Sequence, residues 1–172
     1  MYIIFKCVEN LCKIIRIKVK ILYWKLKYGK RIKIGKKLNF RKGLVINISK
    51  NGMLEIGDNN FFNNYCSINC QGYIKIENNN LFGENVKIYD HNHIFNNKKV
   101  DMRYFYKIGK VYIGNYNWFG SNVTILSKTN LGDRNVIAAN STINEKYDSE
   151  NLIRTDRKIK VQKILYVGDG ND

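Results

Sequence analysis

Apolar residues recur every six positions between residues 113 and 143. The positions are Ile113, Phe119, Ile125, Leu131, Ile137 and Ile143, without a break. An α-helix returns to one face every 3.6 residues and a strand every 2, so a period of six fits neither element. The interval predicts short flat runs joined by corners and stacked as the coils of a β-helix.

The residue after the apolar position is small in four of these repeats: Gly114, Gly120, Gly132 and Ala138. A small residue is expected where the corner is tight and a larger side chain would meet the backbone. The six-residue interval also occurs upstream, at Ile56, Phe62, Ile68 and Ile74, and then, after an offset of two, at Ile76, Phe82 and Ile88. We therefore predict one domain of about five to six coils, each of roughly 18 residues.

The repeat lapses between Ile88 and Ile113, and this interval contains both histidines of the chain, His91 and His93. Loops that leave a regular scaffold often carry function. The lapse predicts an extruded loop over residues 89–110 that holds the chemistry of the protein.

Positive charge is concentrated at the start of the chain. Residues 1–43 contain fourteen Lys or Arg and one acid, Glu9, so that only +3 of the net charge of +16 belongs to the rest. Apolar and basic residues alternate there, which predicts a basic amphipathic helix within residues 1–32. Three roles remain open for it: a cap on the first coil, an anionic membrane surface, or nucleic acid. No recognition motif accompanies the third role, and we expect no nucleic-acid partner.

Two segments resemble a known family. Residues 113–126 read IGNYNWFGSNVTIL and residues 131–142 read LGDRNVIAANST. They resemble the hexapeptide-repeat acyltransferases, whose sugar and antibiotic O-acetyltransferase branch has I-G-x-N-x-W-I-G-x-x-V-T-I-L and then I-G-x-x-x-V-I-G-A-G-S-V. The resemblance covers residues 33–146 and implies an all-β, left-handed parallel β-helix, a homotrimer, and acetyl-CoA as co-substrate. Residues 147–172 form a predicted C-terminal cap and tail without the family's G-N-P-A-K element.

The candidate catalytic residues lie in the extruded loop. Attack of a sugar hydroxyl on a thioester needs a base that is neutral near pH 7, and imidazole meets this need. The family's Y-x-x-x-H loop, aligned on Tyr89, places His93 at the catalytic histidine, with His91 as the alternative. Asp90 is the candidate that would orient the imidazole through its second ring nitrogen.

The resemblance also implies residues that bind coenzyme A. A backbone N–H near Ser121 corresponds to the family's oxyanion donor, and Trp118 would line the acceptor or pantetheine channel. Ala138 and Ala139 take the place of the family's Gly-Ala at the corner where pantetheine binds. Phosphates favour Lys and Arg, so the candidates for the phosphate groups are Lys146, Arg154, Arg157 and Lys158.

We interpret the chain as an O-acetyltransferase that moves acetyl from acetyl-CoA to a sugar hydroxyl of a surface glycan, such as capsule or lipopolysaccharide, by direct transfer. The alternatives are an N-acetyltransferase acting on an amino sugar and a noncatalytic glycan- or membrane-binding solenoid. A zinc lyase would need three histidines, so we expect no metal site. Lys interrupts every apolar run, and no signal-peptide pattern is present, so the expected location is cytoplasmic or at the inner face of the membrane.

Overall fold

The computed structural model describes residues 2–99 and 101–155. The described chain begins with helix α1 (Tyr2–Tyr28) and a 3-10 turn (Gly29–Arg31). Short strands then wind into a solenoid of triangular cross-section, with one parallel sheet on each of its three faces. This is the left-handed parallel β-helix of about six turns that the sequence predicts.

Among the described residues, faces A and B each collect six strands and face C collects five, one from each successive coil. Face A contains β1 (Ile32–Ile34), β4 (Met53–Ile56), β7 (Tyr73–Ile76), β12 (Lys110–Ile113), β15 (Asn130–Leu131) and β18 (Lys146–Tyr147). Face B contains β2 (Asn39–Phe40), β5 (Phe61–Phe62), β8 (Leu81–Phe82), β13 (Trp118–Phe119), β16 (Val136–Ile137) and β19 (Leu152–Ile153). Face C contains β3 (Val45–Ile48), β6 (Ser67–Cys70), β9 (Lys87–Tyr89), β14 (Thr124–Ile125) and β17 (Thr142–Ile143). We call the edges between faces corner AB, corner BC and corner CA.

The apolar residues of the six-residue repeat point inward and stack between coils. Ile113 pairs with Ile76 below and Leu131 above, and all three are buried. The offset of two has a structural cause, because β7 is four residues long and directs both Ile74 and Ile76 into the core. Strand alternation accounts for that spacing of two, so the apparent break in the repeat is a longer strand rather than an interruption of the coil.

Two further ladders join the coils. Phe62, Phe82 and Phe119 stack face to face, with ring centroids 4.3 and 4.6 Å apart. At corner AB, the side-chain oxygen of one asparagine accepts the backbone N–H of the next coil's asparagine at 2.8–2.9 Å, through Asn60, Asn80, Asn117, Asn135 and Asn151. Such bonds satisfy backbone groups that the corners would otherwise bury unpaired.

Helix α1 packs its last turns against the first coil. Trp24 is buried against Phe40, and the Tyr28 hydroxyl donates a 2.8 Å hydrogen bond to the Ile46 carbonyl. Ile17 and Ile21 are half-buried against the same core. The helix therefore covers the open end of the solenoid, while the boundaries predicted at residues 32 and 146 stay predictions. No helix in the described part of the chain is long and apolar enough to cross a bilayer.

Candidate active site

The predicted loop is a hairpin that replaces corner CA after β9. Its strands β10 (His91–His93) and β11 (Tyr106–Ile108) are antiparallel, with His91 opposite Ile108 and His93 opposite Tyr106. At its base, the Gly109 N–H donates a 2.7 Å hydrogen bond to the Asp90 carbonyl. The hairpin thus leaves the coil and rejoins it at one point, which keeps β12 in register with β7.

Asp90 fastens this hairpin to the coil below. Its side chain is fully buried, and its carboxylate accepts the backbone N–H groups of Gln71 at 2.8 Å and Gly72 at 2.7 Å. Two segments of the chain lie close together here, because a Cβ atom on Gly72 would lie 2.5 Å from Ile108 Cγ2 and 3.0 Å from the Gly109 carbonyl oxygen. Asp90 therefore holds the hairpin against the coil below, and it is also the candidate partner of a histidine.

The structure places Asp90 against His91. His91 Nδ1 lies 3.0 Å from Asp90 Oδ1, and the His91 side chain is only 12% exposed. Because the carboxylate accepts bonds from Gln71 and Gly72, the proton of this contact is assigned to Nδ1 of the imidazole. Nε2 of His91 then carries the lone pair that a general base requires.

His93 has a different environment. It is exposed, and its Nδ1 lies 2.5 Å from the backbone carbonyl oxygen of Met102 in the same hairpin. A carbonyl can only accept, so Nδ1 also carries the proton in His93 and Nε2 is the acceptor. Tyr106 lies beside both imidazoles, with ring centroids 5.2 Å from His91 and 4.7 Å from His93.

Both histidines open onto a cleft of about 410 Å³ along face C. Its lining residues come from the end of α1, the first three coils and the hairpin: Lys27, Tyr28, Asn47, Ile48, Ser49, Asn69, Cys70, Gln71, Tyr89, His91, His93 and Tyr106. Amides, hydroxyls and phenol rings predominate, and Lys27 is the sole Lys, Arg, Asp or Glu among these lining residues. Such groups form hydrogen bonds and ring contacts with polar, uncharged ligands.

Cys70 is the one thiol in the cleft lining. Burial, followed by the nearby Asp90 carboxylate, raises the pKa of this thiol to about 12. Its Sγ donates a 3.2 Å hydrogen bond to the Met53 carbonyl. Cys70 is therefore a neutral thiol near pH 7, and a neutral thiol is a poor nucleophile.

The candidate coenzyme A residues lie elsewhere on the solenoid. Trp118 is on face B and 52% exposed, Ser121 and the pair Ala138–Ala139 are at corner BC, and Lys146 is on face A. None of them lines the cleft. Arg154 is exposed after β19, whereas Arg157 and Lys158 lie outside the described residues.

Corner BC nevertheless carries backbone donors that have no acceptor among the described residues. Neither the Ser121 N–H nor the Ala139 N–H donates to any residue that the structure describes. The two coils are in close contact here, since a Cβ atom on Gly120 would lie 2.6 Å from the Ala139 nitrogen. The corner therefore presents N–H groups of adjacent coils beside small side chains.

Sequence reasoning missed most of the cleft wall. Lys27 and Tyr28 belong to a helix whose contact with the site depends on how it packs, and Asn47 and Asn69 come from two different coils. The Asn47 Nδ2 group donates a 3.0 Å hydrogen bond to Asn69 Oδ1. Their separation of 22 residues equals one full coil, and this is the one sequence feature that could have predicted that they lie side by side. Within the described residues, no three His, Cys, Asp or Glu side chains cluster as metal ligands would.

The comparisons with known proteins agree with this fold. The family model described as bacterial transferase hexapeptide (six repeats) matches residues 110–145. A hexapeptide-repeat-containing acetyltransferase from Vibrio cholerae O1 biovar eltor, complexed with acetyl coenzyme A, is 21% identical, with a TM-score of 0.63 over 77% of this chain and 69% of that chain. A second structure, of the hexapeptide-repeat-containing acetyltransferase from Vibrio cholerae, is 24% identical, with a TM-score of 0.59 over 75% and 74% of the two chains.

These matches confirm the family resemblance found in the sequence. The matching segment, residues 110–145, is similar to the hexapeptide repeats of bacterial transferases. At these identities the two solved structures show the shared fold, and the sugar O-acetyltransferase branch stays a prediction.

Proposed function

We propose that the protein is an acetyl-CoA-dependent O-acetyltransferase that modifies a sugar hydroxyl of a surface glycan. The observation that carries this proposal is the pair Asp90 and His91, a buried carboxylate 3.0 Å from an imidazole that opens onto a polar cleft. The Vibrio cholerae structure with acetyl coenzyme A supports the choice of co-substrate, because its solenoid is similar to this one.

The chemistry is a direct acyl transfer. The Nε2 lone pair of the histidine takes the proton of the sugar hydroxyl as its oxygen forms a bond to the acetyl carbon. The carbon–sulfur bond of the thioester then breaks, and the proton passes to the departing thiolate. The Asp90 carboxylate stabilises the imidazolium that forms between these two steps. Cys70 takes no part, because its thiol stays protonated.

The geometry favours His91 as the base. A buried carboxylate both fixes its tautomer and stabilises its charged form, whereas His93 is held by a carbonyl of its own exposed hairpin. The family's loop spacing favours His93 instead. Both histidines line the cleft, so single variants of each decide between them.

We expect acetyl-CoA to bind at corner BC, where two backbone donors have no acceptor among the described residues. The N–H groups of Ser121 and Ala139 match the amide carbonyls of pantetheine and the developing oxyanion. Trp118 and Ala138 are the nearby candidates for further contacts, whereas Lys146 lies on face A, opposite this corner. Corner BC and the histidines of corner CA are separated by face C within one protomer. A homotrimer, as the family resemblance implies, would bring corner BC of one protomer beside corner CA of its neighbour.

The cleft lining favours a hydroxyl acceptor over an amine. Lys27 is its only Lys, Arg, Asp or Glu, and no Asp or Glu lines the cleft to hold a protonated amino sugar. Amides such as Asn47, Asn69 and Gln71 are common partners of sugar hydroxyls because each both donates and accepts. This composition supports a neutral or anionic sugar as the acceptor.

The test is release of free thiol from acetyl-CoA by wild type, His91→Ala and His93→Ala with a panel of sugars and glycan extracts. We expect acceptor-dependent release that falls by about 10²–10⁴-fold in His91→Ala and much less in His93→Ala. The reverse order would assign the base to His93. Turnover with amino sugars alone would indicate an N-acetyltransferase, and glycan binding without any turnover would indicate a noncatalytic solenoid.

A further inference from the structure

Helix α1 has two apolar faces on opposite sides. The inward face, with Ile17, Ile21, Trp24 and Tyr28, packs on the first coil. A second set of apolar residues recurs at alternating intervals of three and four, the spacing of one helix face. We call it the outward stripe; it comprises Phe5, Val8, Cys12, Ile15, Val19, Leu22 and Leu26.

The outward stripe is open to solvent along its whole length. Every member is exposed, from about half for Ile15 to 64% for Phe5 and 78% for Leu26. On its side nearest corner BC it continues into a groove of about 820 Å³ between the helix and residues 40–45. Contiguous apolar surface of this extent marks an interaction site.

Charge identifies the kind of partner. Helix α1 contains seven Lys or Arg and one acid, Glu9. On a helical projection Lys18 and Lys25 flank the outward stripe on one side, and Arg16 flanks it on the other. A second copy of the helix would bring these cations against like charges, with only Glu9 to offset them, whereas an anionic lipid surface attracts all of them.

We propose that the outward stripe docks on an anionic lipid bilayer, with α1 lying in the plane of the interface. The apolar side chains would enter the acyl boundary while the flanking Lys and Arg side chains extend to the headgroups. The inward face remains on the first coil. Capping and membrane binding, which the sequence leaves as alternatives, then use opposite faces of one helix.

Docking would bring the cleft to the lipid surface. Lys27 and Tyr28 belong to the last turn of α1 and also line the cleft. An α-helix with its side chains is about 10–12 Å across, so the cleft begins about one helix diameter from the bilayer. This consequence rests on the proposed function, and it favours a lipid-linked or membrane-proximal glycan as the acceptor. The docking itself does not depend on catalysis.

The experiment is flotation of the full chain with vesicles of phosphatidylcholine, alone or with phosphatidylglycerol, in low and high salt and without acetyl-CoA. We expect binding to the anionic vesicles at least about tenfold stronger than to the neutral ones, and weaker in high salt. The double variant Leu22→Asn, Leu26→Asn should bind the anionic vesicles at least about tenfold more weakly, because two apolar side chains no longer enter the lipid. The double variant Lys18→Gln, Lys25→Gln should bind several-fold more weakly.

Matched controls use the same chemistry elsewhere on the surface. Leu81→Asn with Leu152→Asn, and Lys110→Gln with Lys128→Gln, change exposed residues of the solenoid and should leave binding unchanged. The proposal is overturned if wild type ignores anionic vesicles, or if the Leu22, Leu26 variant still binds them. It is also overturned if light scattering shows a larger assembly that this variant dissociates, because a second copy then covers the stripe.

Two native cysteines report the orientation of the helix. Cys12 belongs to the outward stripe, and Cys7 lies roughly 140° away around the helix. Both thiols are exposed, whereas Cys66 and Cys70 are buried. An environment-sensitive fluorophore on Cys12, in Cys7→Ser, should shift to the blue on anionic vesicles. The same fluorophore on Cys7, in Cys12→Ser, should shift much less, and equal shifts would contradict the proposed orientation.

Discussion

The coils below the hairpin are longer than the coils above it. In the lower coils, residues 32–89, the paired residues Ile32 and Leu54 are 22 positions apart, and Leu54 and Ile74 are 20 apart. In the upper coils, residues 110–155, Ile113 and Leu131 are 18 apart, and Leu131 and Tyr147 are 16 apart. The family model matches only the upper coils, while every coil residue of the cleft lies in the lower coils. Insertions in a repeat tend to collect on one face that binds a ligand, and here the longer coils are the ones that line the cleft.

The largest effect is expected from replacing the carboxylate of Asp90, where the hairpin joins the lower coils. Asp90→Asn keeps the shape of the side chain but removes the charge beside His91, and we expect kcat/KM to fall by about 10²–10⁴-fold. The matched change in the upper coils is Asp133→Asn, since Asp133 Oδ1 accepts the Asn115 N–H at 2.7 Å in a similar corner contact. Steady-state kinetics should leave Asp133→Asn within about twofold of wild type. Equal activity of the Asp90 variant would exclude the Asp90–His91 pair as the catalytic unit.

Truncation of the aromatic ladder tests whether the two halves fold together. Phe82 stacks between Phe62 of the lower coils and Phe119 of the upper coils. Phe82→Ala should lower the free energy of unfolding by about 3–5 kcal/mol, measured by denaturant titration, because it leaves a cavity at the junction. Its neighbour Leu81 is half-exposed, and Leu81→Ala should cost less than about 1 kcal/mol. Hydrogen exchange that shows only the lower coils opening in Phe82→Ala would mean that the halves are independent.

Two hydrogen bonds between asparagine side chains allow a test of where the acceptor binds. Asn47 donates to Asn69 in the cleft wall at 3.0 Å, and Asn122 donates to Asn140 in the upper coils at 3.1 Å, outside the cleft. Asn69→Ala should raise the KM for the acceptor about tenfold through loss of one or two hydrogen bonds, with the KM for acetyl-CoA unchanged. Asn140→Ala should leave the acceptor KM as it is. A shift in acceptor KM caused by Asn140→Ala would place acceptor contacts in the upper coils.

The smallest effect is expected at Cys70. The raised pKa, about 12 against an ordinary value of 9.0, keeps its thiol protonated, so Cys70→Ser should retain activity within a fewfold. Iodoacetamide at pH 8 should modify the exposed Cys7 and Cys12 and spare Cys66 and Cys70, as counted by mass spectrometry. Above pH 9 the unfolded chain loses its thiol proton before the folded chain does, so Cys70 should lower stability progressively between about pH 9 and pH 12. Rapid alkylation of Cys70 in the native protein at pH 8 would contradict this account.

Particular residues mark the limit of what could be predicted. The interval of six located the inward residues from Ile113 to Ile143 because each repeat must bury one apolar side chain. The same interval left an unexplained offset at Ile74 and Ile76, since only the structure shows that β7 is long enough to bury both. Asp90 was predicted as a partner for a histidine, yet the imidazole it contacts and the Gln71 and Gly72 amides it binds come from folding the hairpin back onto the previous coil.

The sequence by itself determined the repeat, the position of the extruded loop and the basic helix, and its family resemblance implied the left-handed solenoid. These are local properties, set by one apolar side chain per face and by the residue types at each corner. The tertiary structure decided which histidine lies beside Asp90, which coils line the cleft, and which face of α1 stays open. Those features depend on the stacking of residues one or more coils apart, and coil length varies from 22 to 16 positions along the chain. A difference of a few residues in one turn changes which side chains meet, so only the folded coils fix the site.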